Sequence, residues 1–178
     1  MRFLPYTRTL VSRSVLVAVL SLTACDLLTA PSVATTIMLS PSEVTFDGLG
    51  DDLRVNATVK DQHGNVMSND TITWTASDRG IATVSSSGLV TAVGPGTSAV
   101  TASAGSANGT AAVTVIQTPT SLELSDTVVH FYSVGDTTRV IATVRDKNQS
   151  AINDSPVVWT TSDASIAGVS SGGLIQSY

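Results

Sequence analysis

One thiol and a thin scatter of carboxylates and imidazoles are the groups in this sequence able to do chemistry. Cys25 is the single cysteine among 178 residues, so no intrachain disulfide can form and its sulfur is free for another covalent task. The residues before it indicate that task. Arg2, Arg8 and Arg13 make a basic leader, residues 14–22 make a short apolar run, and Leu22-Thr23-Ala24 sets small side chains close before the thiol. That is the layout of an export signal with a cleavage site. The apolar run is about half the roughly 20 residues needed to span a bilayer. A thiolate is a good nucleophile, so a thiol set directly behind such a cleavage site is open to covalent modification.

The remaining inventory does not assemble a catalyst. There are two histidines and no His-Glu-x-x-His, Gly-x-Ser-x-Gly or phosphate-loop pattern, so the expectation is a non-enzyme. His63 falls in a polar turn and His130 alternates with Val129 and Phe131, so both read as surface residues. Asp47, Asp51 and Asp52, with Asp136 repeating Asp51, could offer oxygens to calcium. Calcium takes six or more such ligands, and the set is read instead as a solvated acidic loop, with no metal site and no cofactor. Asp78 and Asp163 read as turn-initiating residues whose carboxylates bond their own backbone. Trp74 and Trp159 could stack on sugars, but each lies in mid-strand with an apolar neighbour on the same face, so both are assigned to the core.

The leader with Leu22-Thr23-Ala24-Cys25 resembles a bacterial lipoprotein signal and its lipobox. The resemblance implies lipidation of Cys25, a membrane partner through that anchor, and a place in the bacterial cell envelope facing the periplasm or the exterior. The net charge is −5, and loss of the leader would remove three arginines, so a nucleic-acid partner is not expected.

The elements that must hold these residues come from an internal repeat. Trp74 and Trp159, Gly50-Asp51 and Gly135-Asp136, and Leu39-Ser40 and Leu124-Ser125 are each 85 residues apart. Aromatic residues are 4% and charged residues 13% of a chain rich in Val, Thr, Ala and Ser, which suits strands better than helices. Leu53, Val55, Ala57 and Val59 alternate with polar residues and predict one half-buried strand. Residues 71–76, 81–84, 89–93, 98–103 and 110–116 predict further strands separated by Gly, Ser and Asp turns, a hairpin at 105–109 among them. With two short pieces around Ile37 and Val44, the count is seven or eight, that of a small sandwich. The second copy as given contains no equivalent of residues 98–116: either the sequence is a truncated piece, or the second domain leaves apolar surface and strand edges open.

The run Trp-Thr-x-Ser-Asp-x-x-Ile-Ala-x-Val-Ser-Ser-x-Gly-Leu, with residues 58–65 before it and 94–102 after it, resembles the bacterial immunoglobulin-like domain, group 2. The resemblance implies an all-β immunoglobulin-like sandwich of the kind found in intimin and invasin-type adhesins, used as a spacer or a binding surface. The expected organisation is a signal peptide at 1–24, a tether at 25–35, a first domain at 36–117 and a second, incomplete domain at 118–178. The expected function is a non-catalytic, lipid-anchored envelope module for adhesion, binding or spacing, with a protein or polysaccharide as ligand. The alternative is the N-terminal stalk of a longer surface lipoprotein that carries an enzyme or carbohydrate-binding domain. Self-association through strands of the second domain is a further expectation.

Overall fold

The computed structural model describes residues 31–68 and 71–178, and Ser32–Tyr178 form one compact unit. Cys25, Leu22, Thr23 and Ala24 lie outside the described residues. Among the described residues every regular element is a strand, in keeping with the β-branched and small-residue alternation of the sequence.

The first repeat contains nine strands: β1 (Ala34–Ser40), β2 (Glu43–Phe46), β3 (Asp52–Arg54), β4 (Asn56–Asp61), β5 (Thr73–Ala76), β6 (Ala82–Val84), β7 (Leu89–Ala92), β8 (Gly96–Ala104) and β9 (Ala107–Val115). One layer is the four-stranded sheet β2-β9-β8-β5, in which β2 runs parallel to β9 and the other pairs are antiparallel. The facing layer consists of two smaller ladders, β1-β4 and β3-β7-β6. The predicted strand at 53–59 is two strands. Val55 breaks it, its amide donating to the Gly88 carbonyl (2.9 Å), so that β3 pairs with β7 while β4 pairs with β1. The switch turns Leu53 out to solvent, whereas Val55 and Val59 stay buried. The predicted hairpin at 105–109 is tighter than expected: β8 and β9 stay paired to Ala104 and Ala107, leaving Gly105-Ser106 as the turn. Gly105 takes a positive φ of 56° there, as such turns require.

Two apolar clusters fill the first repeat. The larger joins Val44 and Phe46 of β2, Val55, Ala82, Val90, Ala92, Val100 and Ala111, Val113 and Val115 of β9. The smaller joins Ala34, Ile37, Val59, Ala102, Ala104 and Ala107. Trp74 is half-buried and packs against both. The residues with no exposure at the centre are valines and alanines, and the indole bridges the seam between clusters.

The second repeat builds β10 (Ser121–Leu124), β11 (Thr137–Arg139), β12 (Ala142–Arg145), β13 (Ala167–Val169) and β14 (Leu174–Ser177). Ladder β10-β12 repeats β1-β4, and β11-β14-β13 repeats β3-β7-β6. The four-stranded sheet has no counterpart among the described residues of the second repeat. Residues 128–131 and 158–161, which correspond to β2 and β5, belong to no strand.

Candidate functional site

The best-organised polar cluster is the junction of the two repeats. Asp146 ends the β12 segment and is fully buried. Its Oδ1 accepts the amides of Asn148 (3.0 Å) and Ser150 (2.9 Å), which folds residues 146–150 into a tight loop. The same loop exists in the first repeat, where Asp61 Oδ1 accepts the amides of His63 (2.8 Å) and Asn65 (2.9 Å). The second oxygen distinguishes the two. Asp61 Oδ2 takes Ser32 Oγ (3.3 Å), whereas Asp146 Oδ2 takes the Leu49 amide (2.9 Å) and Gln117 Nε2 (3.2 Å). One buried carboxylate thereby ties its own loop, the connecting segment and the first repeat together.

Around it the contacts continue. Asn148 Nδ2 donates to the Leu49 carbonyl (2.9 Å) and to Asp51 Oδ1 (2.8 Å). Lys147 Nζ lies 2.9 Å from Asp51 Oδ2 and also pairs with Asp47. Gly48 leaves room for this docking, since a Cβ there would stand 3.0 Å from Asn148 Nδ2 and 3.2 Å from Lys147 Cγ. The Asp51 carboxyl is held below its ordinary pKa by hydrogen bonds from Lys147 and then Asn148. Burial works against the charge on Asp146, but the Leu49 amide, Gln117 and the loop amides outweigh it, so its pKa is also lowered. Lys147 is raised, first by Asp47 and then by Asp51.

The acidic residues considered for calcium are thus divided between tasks. Asp47 and Asp51 face the Lys147 ammonium, and Asp52 borders the same shallow pocket. Asp136, the counterpart of Asp51, caps its own loop by accepting the Tyr132 (3.1 Å) and Ser133 (2.9 Å) amides. No group of three or more metal-ligating side chains occurs among the described residues. Asp78 and Asp163 make the expected local turns, accepting the amides of Gly80 (2.8 Å) and Ser165 (2.9 Å). His63 and His130 are exposed.

Trp159 is half-buried and lines an open hollow of about 300 Å³ with Thr160, Thr161, Ser162, Ala167, Gly168, Val169 and Ile175. A second hollow of about 400 Å³ runs beside residues 128–131. Sequence reasoning assigned Trp159 to the core and did not find the junction. Its signal was present, since Asn148 stands where the first repeat has His63, and Lys147 where it has Gln62.

No helix among the described residues is long and apolar enough to cross a membrane. The two-layer arrangement of the first repeat, with its valine-rich core, is an immunoglobulin-like β-sandwich. Residues 33–115 match the family Bacterial Ig-like domain (group 2). No curated protein sequence matches the chain. Among solved structures it is similar to domains 4 and 5 of the S-layer protein SbsC, with 26% identity and a TM-score of 0.44 over 48% of this chain and 54% of that one. It is similar also to SbsC domains 1–6, with 21% identity and a TM-score of 0.45 over 82% of this chain and 21% of that one. Similarity to the Yersinia pseudotuberculosis adhesin InvE is 20% identity with a TM-score of 0.38, over 62% of this chain and 34% of that one. The chain therefore spans about half the length of the first of these structures and about a fifth of the second.

Proposed function

We propose that the chain is a non-catalytic module of the bacterial cell envelope, held to a membrane by lipid on Cys25, that spaces or presents a binding surface for a protein or polysaccharide. The observation that carries the spacer part is the junction. Residues 118–120 are exposed, but Gln117, Leu49, Asn148 and Lys147 bond across the connection around a buried carboxylate. A stiff joint between two repeats transmits position, which is what a spacer requires. The anchor part rests on the leader and on the thiol behind Leu22-Thr23-Ala24.

Replacing Cys25 with Ser tests the anchor, because acyl chains supply the membrane affinity. The full chain is expected in the membrane fraction and Cys25→Ser in the soluble extracytoplasmic fraction. A Cys25→Ser variant that still sediments with membranes defeats the anchor. The spacer is tested by distance distributions between spin labels on the two repeats, expected narrow in the native chain and broad in Lys147→Met/Asn148→Ala. A broad native distribution removes it.

A further inference from the structure

We propose that the first repeat is a tension-bearing element: a pull along the chain loads its parallel β2-β9 ladder in shear, and Asp146 of the second repeat bolts the two sliding strands together. The proposal goes beyond the spacer reading and rests on neither the anchor nor the ligand. The direction of the load follows from where the chain enters and leaves. Ala34, at the start of β1, shares an apolar cluster with Ala104 and Ala107, the residues on either side of the β8-β9 turn. Val115, at the end of β9, pairs with Gly96 at the other end of that hairpin. Entry and exit therefore lie at opposite ends of a nine-residue strand, roughly 27 Å apart at about 3.4 Å per residue.

From entry to exit the chain advances along β9, Ile37 standing against Gly109 and Glu43 beside Ala112. A pull on both ends draws β2 toward the entry through β1, and β9 toward the exit. The two strands are parallel and in register from Glu43 beside Ala112 to Phe46 beside Val115, so the pull lies along the ladder and its rungs bear it together. The Ala112 amide donates to the Ser42 carbonyl (2.9 Å) and the Ile116 amide to the Phe46 carbonyl (2.8 Å). Thr118 adds a rung past both strands, its amide donating to the Asp47 carbonyl (3.1 Å). Nine residue pairs hold β9 to β8, so the body of the repeat stays with β9 and the sliding surface lies between β9 and β2.

The exit end carries the bolt. Leu49 follows β2 and Gln117 follows β9, and one oxygen, Asp146 Oδ2, accepts from both, the Leu49 amide at 2.9 Å and Gln117 Nε2 at 3.2 Å. Sliding carries Leu49 and Gln117 in opposite directions, so one of the two bonds must break before the ladder moves. Asp146 is fully buried, where water does not compete for these donors and a charged acceptor holds them strongly. The equivalent oxygen of the first repeat, Asp61 Oδ2, takes Ser32 Oγ and Asn65 Nδ2 and spans no such pair of strands. The second repeat thus reinforces the first against a pull.

The test is single-molecule force spectroscopy on the full, unlipidated chain, with one handle on the Cys25 thiol. The second handle sits on Pro119→Cys, past the exit, or on Ser106→Cys, in the exposed turn at the entry end. Between 25 and 119 the ladder is sheared, whereas between 25 and 106 the strands peel from one end a bond at a time. At equal tension the first repeat is expected to last longer on the 25–119 axis, since the unfolding rate governs forced unfolding. Ile116→Pro deletes a donor just outside β9 and is expected to shorten that lifetime about fivefold, the worth of one amide bond, and to leave the 25–106 lifetime unchanged. Asp146→Asn is expected to act on the same axis alone. Because that change also disturbs its own loop, Gln117→Leu, which keeps the loop's bonds, is read beside it with the same expectation. Equal lifetimes on the two axes overturn the proposal, as does a variant effect of equal size on both, since a general loss of stability acts whatever the direction of pull. An unchanged 25–119 lifetime in Gln117→Leu overturns the bolt. None of these failures alters the fractionation expected of Cys25→Ser.

Discussion

Gly88 and Gly173 show how one residue can be required twice over. Both have positive φ, 78° and 76°, and a Cβ would stand 2.4 Å from the Val55 carbonyl oxygen and 2.9 Å from Trp74 Cζ2 in one case, 2.2 Å from the Val140 oxygen and 3.0 Å from Trp159 Cζ2 in the other. The left-handed backbone alone costs a non-glycine residue about 1–2 kcal/mol, and overpacking adds about 1–3 kcal/mol. Gly88→Ala is therefore expected to lose about 2–5 kcal/mol in urea unfolding, against about 1–2 kcal/mol for Gly50→Ala, where φ is 82° and the space is open. Equal losses would remove the indole contact from the account. The converse case is Gln149, at φ 65° where the first repeat has Gly64 at 82°. Gln149→Gly should gain roughly 0.5–1 kcal/mol, the relief of strain less the added freedom of the unfolded chain. A lower urea midpoint would contradict it. The turn at Ser-x-x-Gly-Leu was legible in the sequence because glycine after serines punctuates strands. Its second reason was not, because the tryptophan that forbids a methyl group reaches it through space.

At the level of elements, alternation revealed that residues 53–59 are extended but not that they divide between two ladders. A period of two is blind to which neighbour a strand pairs with, and only the Val55 amide, turned to Gly88, marks the switch. The junction role of the loop at 146–150 was missed for another reason: Asp146 repeats Asp61, and its different partners left a trace only in the exchange of Gln62-His63 for Lys147-Asn148. That loop carries the pH dependence of the junction. Asp51 and Asp146 have folded pKa values below the unfolded value of about 4, so their contribution is complete above it and is lost as pH falls through the folded values. Lys147 is raised, so its contribution is complete below the unfolded value of about 10.4 and is lost as pH rises through the folded one. The junction is strongest between about pH 4 and pH 10. Asp146→Asn replaces an acceptor by a donor facing buried N–H groups, and should cost about 2–4 kcal/mol at neutral pH. Denaturant midpoints of the two proteins should converge below about pH 4. A difference unchanged from pH 7 to pH 3 would show that the carboxylate charge is not what holds the joint.

For the whole molecule, the two repeats share a pattern but not a core. Sixteen of the buried hydrophobic residues belong to the first repeat, while the second has Val140 and Val144. A fully buried valine contributes roughly 1.5–2 kcal/mol, so the second repeat has too little enclosed apolar surface to offset the entropy of ordering its chain. Its order must then be borrowed in part from the first, through Asp146 to Leu49, Asn148 to Asp51 and Lys147 to Asp47. Unfolding is expected in two steps, the second repeat first, and the steps can be read separately because each repeat has one tryptophan. In a Trp74→Phe background the emission follows Trp159, and in a Trp159→Phe background it follows Trp74. The double substitution Lys147→Met/Asn148→Ala removes the Lys147 and Asn148 side-chain contacts and leaves the Asp146 bonds to Leu49 and Gln117 as a remaining tie. It should lower the Trp159 midpoint by several degrees and leave the Trp74 midpoint within about a degree, since a loss of 1 kcal/mol moves a domain of this size by about 4–8 °C. A single coincident transition for both reporters, or equal shifts in both, would mean that the two repeats fold as one cooperative body and that the second repeat is not the dependent partner.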